Sequence, residues 1–383
     1  MRVLQVIPSI TNYFTFLDEL TGACMDAGVE MGLAASPAHF RGVSCYDSNP
    51  RCEYFPVALP QGMNPRAHFH AAAALRRVVD TWRPDLIHVH IGAAIFAVSL
   101  ARRKGWPKVM ATHHGLLGPS MPGLRGRLGS AAEAWTFSRV DRAYLLNRSD
   151  LDWMRSCGRR VDHVRVYDSM GIGCRTDIFD PRLRMAPDTA SLRVSLGLKA
   201  DQTVFIFVGR QVWFKGFDLV AKAFMRFHRE NPDSRLLLLG EPYAVHPTGL
   251  SPAEQSEFDQ FPGVIRTGWV NNVQAYLALA DINLFPSERE GMPVNLMESL
   301  SMGVPVITRN TRGCNEVVTD GATGILLPER SVDGLLDAMQ RLHSDRKALE
   351  EMRLRAINQR ATMDRGIWIR EQLQAYREVI GTV

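Results

Sequence analysis

Two hydrophobic patterns alternate along the chain: short strand-like runs made mostly of apolar residues, and longer stretches whose apolar positions recur every three or four residues. The runs at residues 3–7, 86–89, 109–112 and 143–146 predict strands buried on both faces, because a strand wet on one side would alternate. Between them, residues 16–27 and 69–81 carry a helical period. Strand-like and helical segments in alternation predict a parallel sheet covered by helices on both faces. Residues 171–188 break the pattern with Gly171, Gly173, Pro181 and Pro187, and form the expected hinge. The same grammar then restarts, with strands at 204–208, 236–239, 264–266, 282–285, 304–308 and 325–327, and helices at 219–229 and 332–342. The expected fold class is therefore α/β, two doubly wound parallel-sheet domains facing a central cleft. Their expected bounds are 1–175 and 189–365, with residues 366–383 a terminal helix crossing back to the first domain.

A chain of 383 residues supplies two cores of ordinary size, and 46% hydrophobic with 22% charged residues is a globular composition. The six cysteines are scattered without a Cys-x2-Cys pair, which reads as reduced cytosolic thiols rather than a disulfide framework or a metal site. Residues 1–8 are too short for a secretory leader, and no window reaches the ~20 apolar residues of a membrane span. The expected location is cytoplasmic, with a peripheral contact on the inner face of the cytoplasmic membrane.

That peripheral contact is suggested by charge. The net +5 lies in the first half: residues 1–171 hold 20 Lys and Arg against 14 Asp and Glu, and residues 172–383 hold 25 against 26. No acidic residue occurs between Asp85 and Glu133, where Arg102, Arg103, Lys104, Lys108, Arg125 and Arg127 are interleaved with Leu116, Leu117, Met121, Leu124 and Leu128. Such a face suits an anionic membrane or a diphosphate-bearing lipid, and a solvated helix face is the plainer account. Nucleic acid is not expected, since no recognised motif accompanies the charge.

Candidate chemistry concentrates at the carboxyl ends of the second set of strands. Pro286 stops the run 282–285, Gly291 and Pro293 break the chain, and residues 294–302 restart a helix. Glu290 is thus placed on a loop at the sheet edge, and Glu298 just inside the following helix. Open α/β sheets bind ligands at that edge, and helix N-termini favour phosphate. Two carboxylates beside a phosphate site suit a polyhydroxylated ligand, a nucleotide sugar; a solvated carboxylate plus a helix-face salt bridge is the bland alternative. Arg210 and Lys215 project from the strand-to-helix loop 209–216, where Gly209 lets the backbone turn. A guanidinium fork and an ammonium converging there suit a diphosphate. Glu316 either supports the site or caps a short helix. No metal and no cofactor are expected, because cations and helix dipoles can neutralise a leaving diphosphate.

In the first half, His113 and His114, followed by Gly115, end a strand and point into the cleft. His88 and His90 share one face of the preceding strand. A metal site from these four lacks a carboxylate or Cys to complete it, so structural roles are expected for His88 and His90.

Together these motifs resemble the retaining GT-B glycosyltransferases of family 4, which are marked by Glu-x7-Glu. The resemblance covers nearly the whole chain and is strongest over residues 208–328. It implies two Rossmann-like domains, the first on the acceptor side and the second binding a nucleotide sugar. It implies that Glu290 contacts the transferred sugar, Glu298 the ribose hydroxyls, and Arg210 and Lys215 the diphosphate. His114, rather than His113, would lie near the reacting carbon, and the amides of Gly291, Met292 and Val294 would bind the donor, since Pro293 has none. The implied chemistry is retaining transfer without a covalent intermediate, the leaving phosphate taking the acceptor proton. Segments 146–158, 170–173, 212–216 and 290–294 are similar to members that extend undecaprenyl-diphosphate-linked glycans. That likeness implies a UDP-sugar donor of a hexose or N-acetylhexosamine, and a glycan or polyprenyl-diphosphate-linked acceptor, in bacterial polysaccharide or glycoconjugate assembly. The first loop, residues 8–15, lacks the Gly-Gly pair many members place there. A nucleotide-sugar epimerase on the same fold and a non-catalytic nucleotide-sugar-binding protein are the alternative readings.

Overall fold

The apolar runs form two parallel sheets in the computed structural model, which is described for residues 1–37, 51–60, 62, 64–120, 123–243 and 246–381. Cys45, Met121 and the side chain of Arg125 lie outside the described residues. The chain divides into two compact units, residues 1–172 with 366–383, and residues 173–365.

The first unit holds β1 (Arg2–Ser9), β2 (Glu30–Ser36), β3 (Glu53–Pro56), β4 (Leu86–His90), β5 (Lys108–His113), β6 (Arg142–Leu145) and β7 (Val164–Val166). Their order is β3-β2-β1-β4-β5-β6-β7, every pairing parallel. The order reverses between β1 and β4, so the ends of those strands frame a crevice of the kind that takes ligands. Leu4, Val6, Ile87, Val89, Val109 and Ala111 are fully buried against Leu75, Val79, Ile95 and Val98 of the covering helices. The last helix, Arg365–Ile380, carries Trp368 and Tyr376 into this unit with no exposure. Burying a side chain the size of Trp368 contributes on the order of 2–3 kcal/mol.

The second unit holds β8 (Val204–Val208), β9 (Arg235–Leu239), β10 (Val264–Gly268), β11 (Ile282–Phe285), β12 (Val306–Arg309) and β13 (Gly324–Leu327), in the order β10-β9-β8-β11-β12-β13. β8 is apolar throughout because both faces are covered: Val204 and Ile206 meet Leu237, Leu277 and Leu279, while Phe205 and Phe207 meet Phe224, Phe227 and Phe217. Register pairs Ile282 with Phe205 and Asn283 with Ile206, which sets the loops after Val208 and Phe285 side by side at the switch point.

Two differences from the expected elements have local causes. The helix expected at 16–27 is two helices, Ile10–Phe16 and Asp18–Asp26. Ser9 caps the first, accepting from the Asn12 amide, and buried Leu17 leaves helical geometry between them at φ −121°. The strand expected from 304 begins at Val306, since Pro305 has no N–H to give a ladder. The strands β2, β3 and β7 fall outside the expected set.

Candidate functional site

The Glu290 loop and the Lys215 turn are laced together. β8 runs into Gly209 and Arg210, then a single 3₁₀ turn, Trp213–Lys215, and the helix Phe217–Glu230. β11 runs into residues 286–293 and the helix Val294–Ser301. Lys215 Nζ lies 2.5 Å from Glu290 Oε1, with the two side chains only 16% and 11% exposed. The Ser287 hydroxyl donates to the same Oε1 at 2.6 Å, and the Glu288 amide donates to the Phe214 carbonyl at 2.8 Å. Two glycines permit this proximity. Gly216, at φ 76°, would put a Cβ 2.4 Å from the Pro286 carbonyl oxygen, and Gly313, at φ 79°, a Cβ 2.6 Å from that of Gly291. Glu316 stands in the first turn of the short helix Cys314–Val317 that Gly313 opens.

A second layer of charge holds the loop from behind. Glu288 pairs with Arg309 and, at 3.1 Å, with Arg330 Nε, and Arg330 also reaches Asp218 at 2.5 Å. Asp218 lies in the first turn of the helix that follows Lys215, so one charge network ties both loops to the sheet.

Arg210 is exposed, and no carboxylate among the described residues pairs with it; its guanidinium lies 5.0 Å from the Tyr243 ring and 5.8 Å from that of Phe214. Behind it a cavity of about 330 Å³ opens at the carboxyl ends of β8, β9 and β10, walled by Gly209, Leu239, Gly240, Tyr243, Trp269 and Val270. The helix Val294–Ser301 starts at Pro293, which supplies no side-chain cap, so its N-terminal end faces the loop with the polarity that suits an anion, and Gly291 and Met292 lie just before it. Glu298 lies one turn further in. Burial pushes its carboxyl up to about 7, against the opposing pull of Arg365, so near neutral pH it can donate as well as accept.

In the other unit, β5 ends in His113, whose ring stacks on Phe137 at 4.3 Å, and His114 follows. Burial drives His88 and His113 down to about 3, His114 to about 4 and His90 well below its ordinary value, with neighbouring histidines adding to the shift except at His114. All four are therefore neutral at physiological pH. An unfolded chain takes up protons on these rings below about pH 6.5 and the folded unit does not, so their contribution is intact above 6.5 and is lost as pH falls. The loss approaches about 1.4 kcal/mol per ring per pH unit. The expected result is a melting temperature that drops steadily from pH 6.5 to 5 in calorimetry; a flat profile would contradict neutral burial.

Among the described residues, no group of three or more His, Cys, Asp or Glu side chains is placed to hold a metal ion. The sequence holds one Asp-x-Asp spacing, a common metal-binding pattern, at Asp150 and Asp152 on the helix Arg148–Ser156. There Asp150 is fully buried, accepting from the Asn147 amide group and the Leu116 N–H, while Asp152 meets Arg155. The two point to separate partners, which is no metal clamp.

The basic segment also reads differently in three dimensions. Arg102 is tied to Asp141 at 2.6 Å and Arg103 to Asp80 at 2.5 Å, with Lys108 3.7 Å from Asp141. These cations are partly neutralised by acids from outside the 85–133 window. On the helix Gly123–Phe137, Arg127 is exposed beside Leu124 and Leu128, which are 72% and 60% exposed.

Sequence reasoning thus places Gly209, Arg210, Lys215, Glu290, Gly291, Met292 and Val294 on two loops of one sheet edge, which the pairing of β8 with β11 makes neighbours, Glu298 and Glu316 on the helices that follow β11 and β12, and His114 in the other unit. It misses Ser287, although the residue lies three positions before Glu290, and the Tyr243–Trp269 cavity. The rule that ligands sit at carboxyl strand ends could have found that cavity.

Both the sequence and the fold have counterparts among known proteins. Residues 15–167 match the family described as glycosyl transferase 4-like domain, and residues 202–345 the family described as glycosyl transferases group 1. EpsD of Bacillus subtilis is 27% identical over 259 residues, which is 66% of this chain and 66% of EpsD. The UDP-Gal:alpha-D-GlcNAc-diphosphoundecaprenol alpha-1,3-galactosyltransferase of Escherichia coli is 24% identical over 317 residues, 79% of each chain. In fold, sucrose-phosphate synthase of Thermosynechococcus elongatus superposes with a TM-score of 0.82 at 17% identity over the whole of both chains. Anabaena Alr3699/HepE, solved with UDP and glucose, gives 0.78 at 15% identity over 99% of each. The two family matches together take in more than three quarters of the sequence, and the chain belongs to the group 1, family 4 glycosyltransferases of the GT-B fold, retaining enzymes of the hexosyltransferase type.

Proposed function

We propose that this enzyme moves a hexose or N-acetylhexosamine from a UDP-sugar to a glycan carried on a polyprenyl diphosphate, in the assembly of a bacterial polysaccharide or glycoconjugate. The observation that carries the donor half is the Lys215–Glu290 contact at the β8/β11 switch point, beside a cavity whose lip holds Arg210 without a carboxylate partner. Along the sheet edge the order is apolar cavity, cations, carboxylate, which is the order of base, diphosphate and sugar in the donor. UDP rather than GDP follows the E. coli relative, named for UDP-Gal, and the Anabaena neighbour, solved with UDP. The acceptor half follows the same E. coli relative, named for a diphosphoundecaprenol acceptor.

The residues act by charge. Arg210, Lys215 and the amides at the start of Val294–Ser301 stabilise the diphosphate as it leaves, and loss of one such contact costs about 2.7–4 kcal/mol of barrier. Glu290 orients the sugar hydroxyls, and its negative charge favours an oxocarbenium-like carbon. Glu298 receives the ribose hydroxyls, and His114 is assigned to the donor sugar. The acceptor attacks from the face the phosphate leaves, and that phosphate takes the acceptor proton. The exposed Leu124, Arg127 and Leu128 set the first unit against an anionic membrane, where a lipid-linked acceptor resides.

A donor panel tests this reading. Purified protein is incubated with UDP-, GDP- and dTDP-sugars, with and without EDTA, using a membrane extract as acceptor. The expected result is nucleotide release from one UDP-sugar, dependent on the extract and unchanged by EDTA, with Leu128→Asp slowing that release but not UDP binding. Binding without release from any donor would indicate a sensor, and a changed sugar still on its nucleotide an epimerase. An unaffected Leu128→Asp rate would remove the membrane contact.

A further inference from the structure

The first unit contains a run of buried hydrogen bonds whose direction can be assigned throughout. Tyr167 donates its hydroxyl proton to Gln372 Oε1 at 2.7 Å. Thr112 Oγ1, 2.9 Å from the Tyr167 oxygen, must then be the donor in that contact, having only one proton to give. It therefore accepts from His88 Nε2–H at 2.9 Å. The other ring nitrogen, His88 Nδ1, accepts from the Tyr376 hydroxyl at 2.7 Å. His88 is fixed as the neutral Nε2–H tautomer, and the last helix is bound to β4 and β5 by the same run.

His90 lies beside this run and outside it. Its ring is 3.9 Å from that of His88, it has no exposure, and its Nε2 has no hydrogen-bond partner among the described residues. Its Nδ1 lies 3.4 Å from His114 Nε2. Both rings are neutral, so this contact is one N–H donating to one bare nitrogen, and two arrangements are open. If His114 donates, His90 must carry its proton on Nε2 and strand a buried N–H. If His90 donates from Nδ1, only a lone pair is left without a partner. Buried N–H groups without acceptors are the rarer case, and leaving one costs its full desolvation.

We propose that His90 is a positioning residue for His114: its Nδ1–H donates to His114 Nε2 and holds His114 in the Nδ1–H tautomer. The remaining polar group of His114 is then a donor, suited to a hydroxyl oxygen of the donor sugar, and the ring is unable to accept a proton from that hydroxyl through the same atom. The functional weight of this bond rests on the placement of His114 at the donor sugar proposed above, whereas the tautomer itself does not. Phe16, with its ring 5.0 Å from that of His114, limits the imidazole from another side but supplies no hydrogen bond.

The test is a long-range ¹H–¹⁵N correlation spectrum of the full-length protein labelled at histidine, assigned with His90 and His114 variants. In the unmodified protein both rings are expected to show a protonated Nδ1 and a bare Nε2. His90→Leu should shift His114 toward the Nε2–H form and lower sugar transfer about tenfold, the equivalent of one hydrogen bond, with UDP binding unchanged. His90→Asn, whose amide N–H falls near the Nδ1 position, should restore the tautomer and most of the rate. A protonated Nε2 on His114 in the unmodified protein would overturn the proposal whatever the variants do. So would equal losses in His90→Leu and His90→Asn with the His114 tautomer unmoved, the signature of packing alone. Full transfer by His114→Ala would sink the placement of His114 at the sugar, while the spectrum would still decide the tautomer.

Discussion

Glu290→Gln should lower turnover roughly 10²–10³-fold while leaving UDP binding equal or severalfold tighter. The opposite signs come from the single contact at 2.5 Å between Lys215 Nζ and Glu290 Oε1. That contact sets the carboxylate against the ammonium that the diphosphate needs, so the nucleotide must share Lys215 with Glu290. An amide of the same shape still accepts a hydrogen bond from Lys215 or Ser287 but carries no charge, which leaves the whole ammonium field to the diphosphate. What is lost is the negative charge beside the sugar, where positive charge develops only on the way to the transition state; that loss appears in kcat. Calorimetric titration with UDP alongside steady-state rates measures both. Equal loss of binding and turnover would mean that Glu290 serves only to hold its loop.

The strands that carry this site were legible in the sequence because both of their faces are buried. The run 204–208 has no polar position to alternate and 282–285 only the fully buried Asn283, and strand length then separates them from helices. The strands outside the expected set have a different composition. β2 contains Gly32, Ala34 and Ala35, residues of low strand preference. The glycine is there for packing: a Cβ on Gly32 would stand 2.9 Å from the Trp82 ring. The helix Gly92–Ala101 gave no amphipathic signal, being apolar almost all round and buried on most sides.

Within the site, residue types and loop positions were readable, and partnerships were not. Lys215 and Glu290 are 75 positions apart, and they meet because β8 and β11 are neighbours across the point where the strand order reverses. Spacing along the chain does not contain that adjacency. The same limit inflated the basic segment. A window without acids looks like an unopposed cation field, but Asp80 and Asp141 return from either side to pair with Arg103 and Arg102. Among the described residues, that surface still offers Lys104 and the Leu124, Arg127 and Leu128 face of a helix whose glycines and exposed leucines gave no clear period.

Lys215→Ala should be the more damaging single change, because it removes a diphosphate contact and strands a carboxylate. Both side chains of the pair are less than one-fifth exposed, so among the described residues Glu290 keeps the Ser287 hydroxyl but no cation, and removing one partner of such a pair costs about 2–5 kcal/mol. Some exposure remains and Glu290 can take up a proton, which places the expected loss near the lower limit. For a unit of this size that is a fall of about 4–10 °C in melting temperature. UDP affinity should fall about tenfold or more, one charge-assisted contact. The double variant Lys215→Ala with Glu290→Gln separates the two effects, since no buried charge is then left unpaired and neighbouring residues of this kind do not add. Its melting temperature should return most of the way to that of the unmodified protein, while UDP affinity and turnover both stay low. Recovery of UDP binding together with stability would instead mean that Lys215 affects the nucleotide only by holding Glu290 in place.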